Sequence, residues 1–250
     1  MSEAGTAPAA EKTPKKATGI RTLAIDIGGT GVKAIVLDEK GTPLTERART
    51  DTPQPATTEA VLKTIAEVIA KLGEFDRVSV GFPGVVRNGT TETAHNLHKK
   101  WVGFDLSKAL SKKLGKPVRV CNDADVQGFG AIEGHGVELV ITLGTGVGSA
   151  LFLEGRLVPN LEMAHHPYRR GKTYEEVLGK KALDKVGKKK WNKRLERAIR
   201  QWEVLFNYDH LCLGGGNAKK INFKLPPNVR VVQNVAGLLG GIALWREEKE

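Results

Sequence analysis

The chain has 250 residues, enough for one large domain or two small ones, and its 40% apolar content with 29 glycines and 11 prolines excludes a wholly disordered, collagenous or coiled-coil protein. Thirty-nine Lys and Arg against 28 Asp and Glu leave a charge of +11, which attracts anionic partners without naming one. Two cysteines, Cys121 and Cys212, lie far apart in apolar runs, which excludes a disulfide-dense scaffold and a four-cysteine zinc site and fits a reducing cytoplasm.

Residues 1–20, rich in Ala, Thr, Pro and Lys, read as a disordered tail. Thr22 to Asp26 and Val32 to Asp38 read as two strands of a hairpin around Gly28-Gly29-Thr30-Gly31. From Thr57, Val61, Leu62, Ile65, Val68, Ile69 and Leu72 recur at helical spacing, with Gly73 as the expected stop. Further strands are predicted at Arg77 to Phe82, Pro117 to Cys121, Glu138 to Leu143, Ser149 to Leu153, His210 to Leu213 and Val229 to Val232. Helical stretches between them make the class α/β. The strands fall into two sets, which suggests a smaller lobe over residues 21–124 and a larger one over 125–234, with a C-terminal helix in 235–250 packing back on the first. The uncharged stretches Leu139 to Leu153 and Val231 to Trp245 are interrupted by polar residues and fall short of the ~20 apolar residues of a membrane span.

Trp191, Leu195, Ile199, Trp202 and Phe206 lie on one arc of a helix and Lys190, Lys193, Arg194, Arg197 and Arg200 on the opposite arc. A core face with a solvated charged face accounts for that pattern by itself. The preceding Arg169, Arg170, Lys172, Lys180, Lys181, Lys185, Lys188 and Lys189, with few acids among them, add a positive field.

Three strands end in glycine-rich turns: Asp26-Ile27-Gly28-Gly29-Thr30-Gly31, Leu143-Gly144-Thr145-Gly146-Val147-Gly148 and Leu213-Gly214-Gly215-Gly216-Asn217-Ala218, the last followed by Lys219 and Lys220. Backbone N–H groups without bulky side chains can approach a phosphate closely, although one such turn alone is equally a structural hairpin. Neither the Gly-x4-Gly-Lys-Ser/Thr loop nor a helix-opening Gly-x-Gly-x-x-Gly is present. Asn122-Asp123 after an apolar strand is by itself a turn or helix cap, but its position between the phosphate turns favours a chemical role.

A strand, Asp-x-Gly-Gly-Thr and a second strand resemble the first phosphate loop of the actin-like ATPase and sugar kinase superfamily. With Gly81-Phe82-Pro83-Gly84-Val85-Val86, His95-Asn96-Leu97, Val120-Cys121-Asn122-Asp123-Ala124-Asp125 and Glu162-Met163-Ala164-His165, the chain is similar to the ROK family of sugar kinases and repressors from about Arg21 onward. The basic Gly187-Lys188-Lys189-Lys190-Trp191 and the final glycine turn are similar to its polyphosphate-using glucokinases. The resemblance implies a two-lobed, ribonuclease H-like α/β fold with a cleft between the lobes. It also implies Asp123 as general base toward a sugar 6-hydroxyl, with Asn96, Asn122, Asp123, Glu162, His165 and Glu175 around glucose; Glu176 competes with Glu175 for register.

On the donor side the resemblance implies Asp26, Gly28, Gly29, Thr30, Lys33, Gly144, Thr145, Gly146, Gly215, Gly216 and Asn217 at the phosphates, with Mg²⁺ reached from Asp26 through water. Lys188, Lys189, Lys190, Lys193, Arg194, Lys219 and Lys220 form the expected polyphosphate track. Many ROK proteins continue after the histidine with a cysteine-rich zinc loop, whereas here His166-Pro167-Tyr168-Arg169-Arg170 follows, so no zinc is expected. The expected partners are glucose and polyphosphate, with ATP as a possible second donor, no nucleic acid, no membrane, and a second copy in a homodimer. A sugar-responsive DNA-binding regulator is the contrasting class, and it predicts a helix-turn-helix that the Pro- and Gly-containing tail opposes.

Overall fold

The computed structural model describes residues 19–94, 97–232 and 240–246. The expected tail and Asn96 lie almost wholly or wholly outside those residues.

The first half contains β1 (Thr22–Ile27), β2 (Gly31–Leu37), β3 (Ala48–Asp51), α1 (Thr58–Ile69), β4 (Arg77–Phe82), β5 (Val86–Arg87), β6 (Thr90–Thr91), β7 (Phe104–Asp105), α2 (Leu106–Leu114) and β8 (Val118–Asn122). The second contains α3 (Asp123–Phe129), β9 (Val137–Leu143), β10 (Val147–Leu153), β11 (Arg156–Val158), β12 (Pro167–Arg169), β13 (Lys172–Thr173), α4 (Tyr174–Leu178), α5 (Lys180–Phe206), β14 (His210–Gly214) and β15 (Val229–Val231). A 3₁₀ turn, Gly240–Trp245, closes the described chain.

Two five-stranded sheets have the same plan. One runs β3-β2-β1-β4-β8 and the other β11-β10-β9-β14-β15. In each, the first two pairings are antiparallel and the last two parallel. The glycine turns therefore join the central antiparallel hairpins, β1–β2 and β9–β10, at corresponding places. Ligands of such sheets gather beyond the carboxyl ends of the parallel strands, and the remaining motifs, Gly81–Gly84, Asn122-Asp123 and Gly214–Asn217, lie at the ends of β4, β8 and β14.

Each sheet has its own core. Leu23, Ile25, Val61, Ile65, Val80, Phe82 and Trp101 fill the first, and Leu139, Ile141, Tyr174, Trp191, Leu195 and Trp202 the second. Thr57 caps α1 by accepting from Ala60 N–H at 3.3 Å, and Val61, Ile65 and Val68 turn inward. The helix ends at Ala70, three residues before the expected Gly73 stop, where Lys71 and Leu72 N–H turn to the carbonyls three residues back, Val68 at 3.3 Å and Ile69 at 2.8 Å, while Leu72 still packs on the core. Trp191, Leu195, Ile199 and Trp202 are buried on α5, with Phe206 half-buried, and Lys190, Lys193, Arg197 and Arg200 opposite them are exposed; Arg194 is the exception on the charged face. The axis of α5 breaks at Gly187, whose φ of 75° is left-handed and open to glycine at little cost.

α3 touches both sheets and thus crosses the expected 124/125 boundary. A Cβ at Gly148 of β10 would lie 2.8 Å from Ala124 Cβ, so the absent side chain lets this helix seat on the second sheet. The 3₁₀ turn Gly240–Trp245 lies against α3, β1, β4 and β8. This described part is 3₁₀ rather than the expected α-helix, since Gly240 and Gly241, poor α formers, press their backbone onto Val126 and Ser79. Trp245 is sandwiched by Arg77 at 5.0 Å and Arg119 at 4.6 Å, and its Nε1 donates to Ser79 Oγ at 2.8 Å. Among the described residues, no helix is long and apolar enough to cross a membrane, and both cysteines are unpaired.

Candidate active site

A cleft of about 990 Å³ opens between the two sheets. One wall carries Asp26, Gly28, Gly29, Thr30 and Lys33; the other carries Gly144, Thr145, Gly146, Gly215, Gly216 and Asn217. Asn122, Asp123, Glu162, His165 and Glu175 also line it, so every described residue expected around the sugar and the phosphates faces one space.

The two central turns are closed alike. Gly28 N–H donates to Gly31 C=O at 3.0 Å, and Gly144 N–H donates to Gly146 C=O at 3.0 Å. Thr52 Oγ draws the first turn to β3 by donating to Gly28 C=O at 2.5 Å. The second turn is fastened by its neighbours: Asn217 Nδ2 donates to Gly144 C=O at 2.9 Å, and Lys180 N–H, at the start of α5, donates to the same oxygen at 3.0 Å. The third glycine turn and the N-terminus of α5 thereby back the second. A helix N-terminus adds positive potential where a phosphate would sit.

Asp26, Gly81 and Cys121 stand in register across β1, β4 and β8, and Asp123 follows at the first position of α3. Burial drives the Asp123 pKa up to about 7, helped by the charge of Asp26 and less by those of Glu162 and Asp125, against one bond from Ala124 N–H. A carboxylate poised near neutral pH suits proton abstraction from a hydroxyl. Lys33 Nζ lies 2.7 Å from Asp26 Oδ2, so this lysine neutralises Asp26 as well as facing the cleft.

Asn122 lines the cleft with its amide already engaged by the protein. Its Oδ1 caps α3 by accepting from Ala124 N–H at 2.8 Å and Asp125 N–H at 3.3 Å, while Nδ2 donates to Gly84 C=O at 3.1 Å and Glu162 Oε1 at 3.4 Å. The side chain is only 6% exposed. Its cap and its cleft position are one arrangement: the amide that starts the helix also holds Asp123 and Glu162 in place.

His165 Nε2 sits 3.4 Å from Glu162 Oε2. His166 turns away, its Nδ1 3.0 Å from Pro167 C=O. The adjacent glutamates separate in the same way. Glu175 reaches the second turn, with Oε2 accepting from Val147 N–H at 3.4 Å, whereas Glu176 completes a capping box with Thr173.

The residues of the expected polyphosphate track do not line the cleft. Lys188, Lys189, Lys190, Lys193, Lys219 and Lys220 are exposed. The buried amide of Asn192 gathers two of these groups, donating to Lys188 C=O at 2.8 Å and Lys220 C=O at 3.1 Å while accepting from Asn222 N–H at 3.0 Å. Arg194 is a correction to the expected track: it is half-buried and donates to Val177 C=O at 3.3 Å, because its position on α5 faces α4. Arg47, Gln127, Ser149 and Lys180 line the cleft without having been singled out as site residues. Only Lys180 carried a sequence signal, the basic run; no motif marks the other three.

Duplicated sheets, paired turns and a cleft carboxylate at a helix start define the two-lobed actin-like ATPase fold. The ROK family model matches residues 22–164, and the chain belongs to the ROK family. It is 34% identical over 252 residues to a polyphosphate glucokinase of Mycobacterium tuberculosis, covering 94% of this chain and 95% of that one. A solved structure of an inorganic polyphosphate/ATP-glucomannokinase from Arthrobacter sp. strain KM superposes with a TM-score of 0.83 at 36% identity, over 91% of this chain and 100% of that one. A ROK family glucokinase from Streptomyces griseus, in complex with glucose and AMPPNP, shares the fold at 21% identity and a TM-score of 0.75, over 90% of this chain and 98% of that one.

Proposed function

We propose that the protein is a glucokinase that transfers the terminal phosphoryl group of polyphosphate to the 6-hydroxyl of glucose. The observation that carries this reading is Asp123, held at the start of α3 between a carboxylate–histidine wall and two phosphate-sized glycine turns, with its pKa raised to about 7. Asp123 accepts the hydroxyl proton as the sugar oxygen forms its bond to phosphorus. The anhydride bond to the donor breaks, and the shortened polyphosphate leaves with the bonding electrons. Glu162, His165 and Glu175 fix the sugar, while the turn N–H groups and the N-terminus of α5 steady the phosphates.

Mg²⁺ fits this chemistry. Among the described residues no three His, Cys, Asp or Glu side chains gather as a metal set, and Asp26 has one carboxylate oxygen outside its pair with Lys33. That donor set suits an ion carried by the phosphates and reached through water. When bound, it neutralises phosphate charge.

The exposed lysines of α5 and of the segment after the third glycine turn, whose backbones Asn192 joins, favour a long polyanion as donor. Dual use of polyphosphate and ATP is the second reading, supported by the description of the Arthrobacter relative. A symmetric homodimer belongs to the same proposal and is read by light scattering.

The deciding experiment measures glucose 6-phosphate formation with Mg²⁺, supplying polyphosphate or ATP at several salt concentrations. Turnover with polyphosphate that weakens as salt rises supports the reading. Turnover with ATP alone overturns the donor assignment, and none with either overturns the kinase.

A further inference from the structure

The loop that carries Glu162 and His165 is fastened to the first lobe by Asn160, two residues before Glu162. Its Oδ1 accepts from Val86 N–H at 3.0 Å and its Nδ2 donates to Val86 C=O at 3.1 Å. The side-chain amide thus pairs with Val86 as the peptide of a neighbouring strand would. Val86 begins β5 just beyond Gly84, whose C=O accepts from Asn122 Nδ2 at 3.1 Å.

The backbone of Asn160 reaches the catalytic helix. Its N–H donates at 3.1 Å to Asp125 Oδ2, two residues beyond Asp123. Asp125 is fully buried, and its other oxygen has no hydrogen-bond partner. A carboxyl kept in the interior with one oxygen unserved has its use in the bonds of the other. Asn160 itself has a φ of 62°, a left-handed conformation that asparagine tolerates better than most residues. Downstream, Ser149 Oγ donates to Leu161 C=O and accepts from Met163 N–H at 3.0 Å, so Glu162 is braced on both sides.

We propose that Asn160 is a positioning residue: by pairing its amide with Val86 between the lobes, it sets Glu162 and His165 relative to Asn122 and Asp123. The inference rests on reading this end of the cleft as the sugar site. It adds a tie between the lobes that acts through Glu162 without touching the sugar.

Asn160→Gly is the informative variant. Glycine accepts the left-handed φ and keeps the N–H toward Asp125, so only the pair with Val86 is lost. Hydrogen exchange at the Val86 amide is expected to accelerate at least about tenfold. The KM for glucose is expected to rise about 10- to 100-fold while the donor KM stays unchanged. Asn160→Asp keeps the acceptor and sets a carboxylate oxygen against Val86 C=O, so its glucose KM also rises above wild type, and it decides the matter should the glycine variant fail to fold. Unchanged exchange at Val86, or an unchanged glucose KM in a folded variant, overturns the proposal. Exchange reads the tie without turnover, so a wild type unable to phosphorylate glucose overturns the proposed function alone.

Discussion

Lys33 Nζ lies 2.7 Å from Asp26 Oδ2, so the carboxylate whose charge most raises the Asp123 pKa is itself held by a cation. This pair lets residues of β1 and β2 adjust the Asp123 carboxyl, the proposed general base.

The pH profile tests it. Asp123 accepts a proton only when ionised, so kcat/KM for the free enzyme should rise through about pH 7 and level off above it. Asp26→Asn removes a like charge and should move this limb to lower pH. Lys33→Met unmasks Asp26 and should move it higher. A limb that stays fixed in both variants would separate it from Asp123.

Asp123→Asn should keep glucose binding and lose roughly two to four orders of magnitude in kcat, the range for removal of a general base. Steady-state turnover alongside calorimetric titration of glucose separates the two effects.

The buried Asp125 has a pKa raised to about 7, chiefly by burial. A carboxyl whose folded pKa exceeds its unfolded value supports stability fully below the unfolded pKa, and that support is lost as pH rises toward 7. Asp125→Asn should therefore gain Tm relative to wild type on going from pH 5 to pH 8. Each kcal/mol corresponds to roughly 2–4 °C for a chain of this size. Thermal melts at the two pH values decide it.

The proposed donor track assigns polyphosphate binding to the exposed lysines of α5 and of the segment after the third glycine turn. Reversing charge at Lys189 and Lys190 should raise the polyphosphate KM and flatten its dependence on salt, since fewer counterions are released. Asn192→Asp replaces the amide donor that joins Lys188 to Lys220 and should raise the same KM about 3- to 10-fold, with glucose KM unchanged. Polyphosphate titrations across a salt series measure both.

The adjacent glutamates should separate cleanly. Glu175→Gln should raise the glucose KM, whereas Glu176→Ala loosens the Thr173 capping box at a cost of about 1 kcal/mol or less and leaves the kinetics alone. Kinetics and melting curves on the two variants give the answer.

The duplicated hairpins, the glycine turns and the buried face of α5 were legible in the chain because each depends on local spacing: alternation for a strand, backbone freedom for a turn, an apolar arc for a helix. The cleft position of Asn122-Asp123 was legible through its place between the glycine turns. The short strands β5, β6, β12 and β13 were not, since two or three residues carry no periodicity.

What only the tertiary structure decided is which polar group faces which. Glu175 differs from Glu176, and His165 from His166, by one residue of rotation that neighbouring caps fix. Arg194 turns to Val177 rather than to the other basic residues because α4 packs against that face of α5. Asn160 and Asn192 carry no motif; each acquires its place from a partner 74 or 28 positions away. Composition and periodicity determine which segments can bury themselves. Hydrogen bonds between distant segments exist only after that burial has brought them together, and they set the geometry of this cleft.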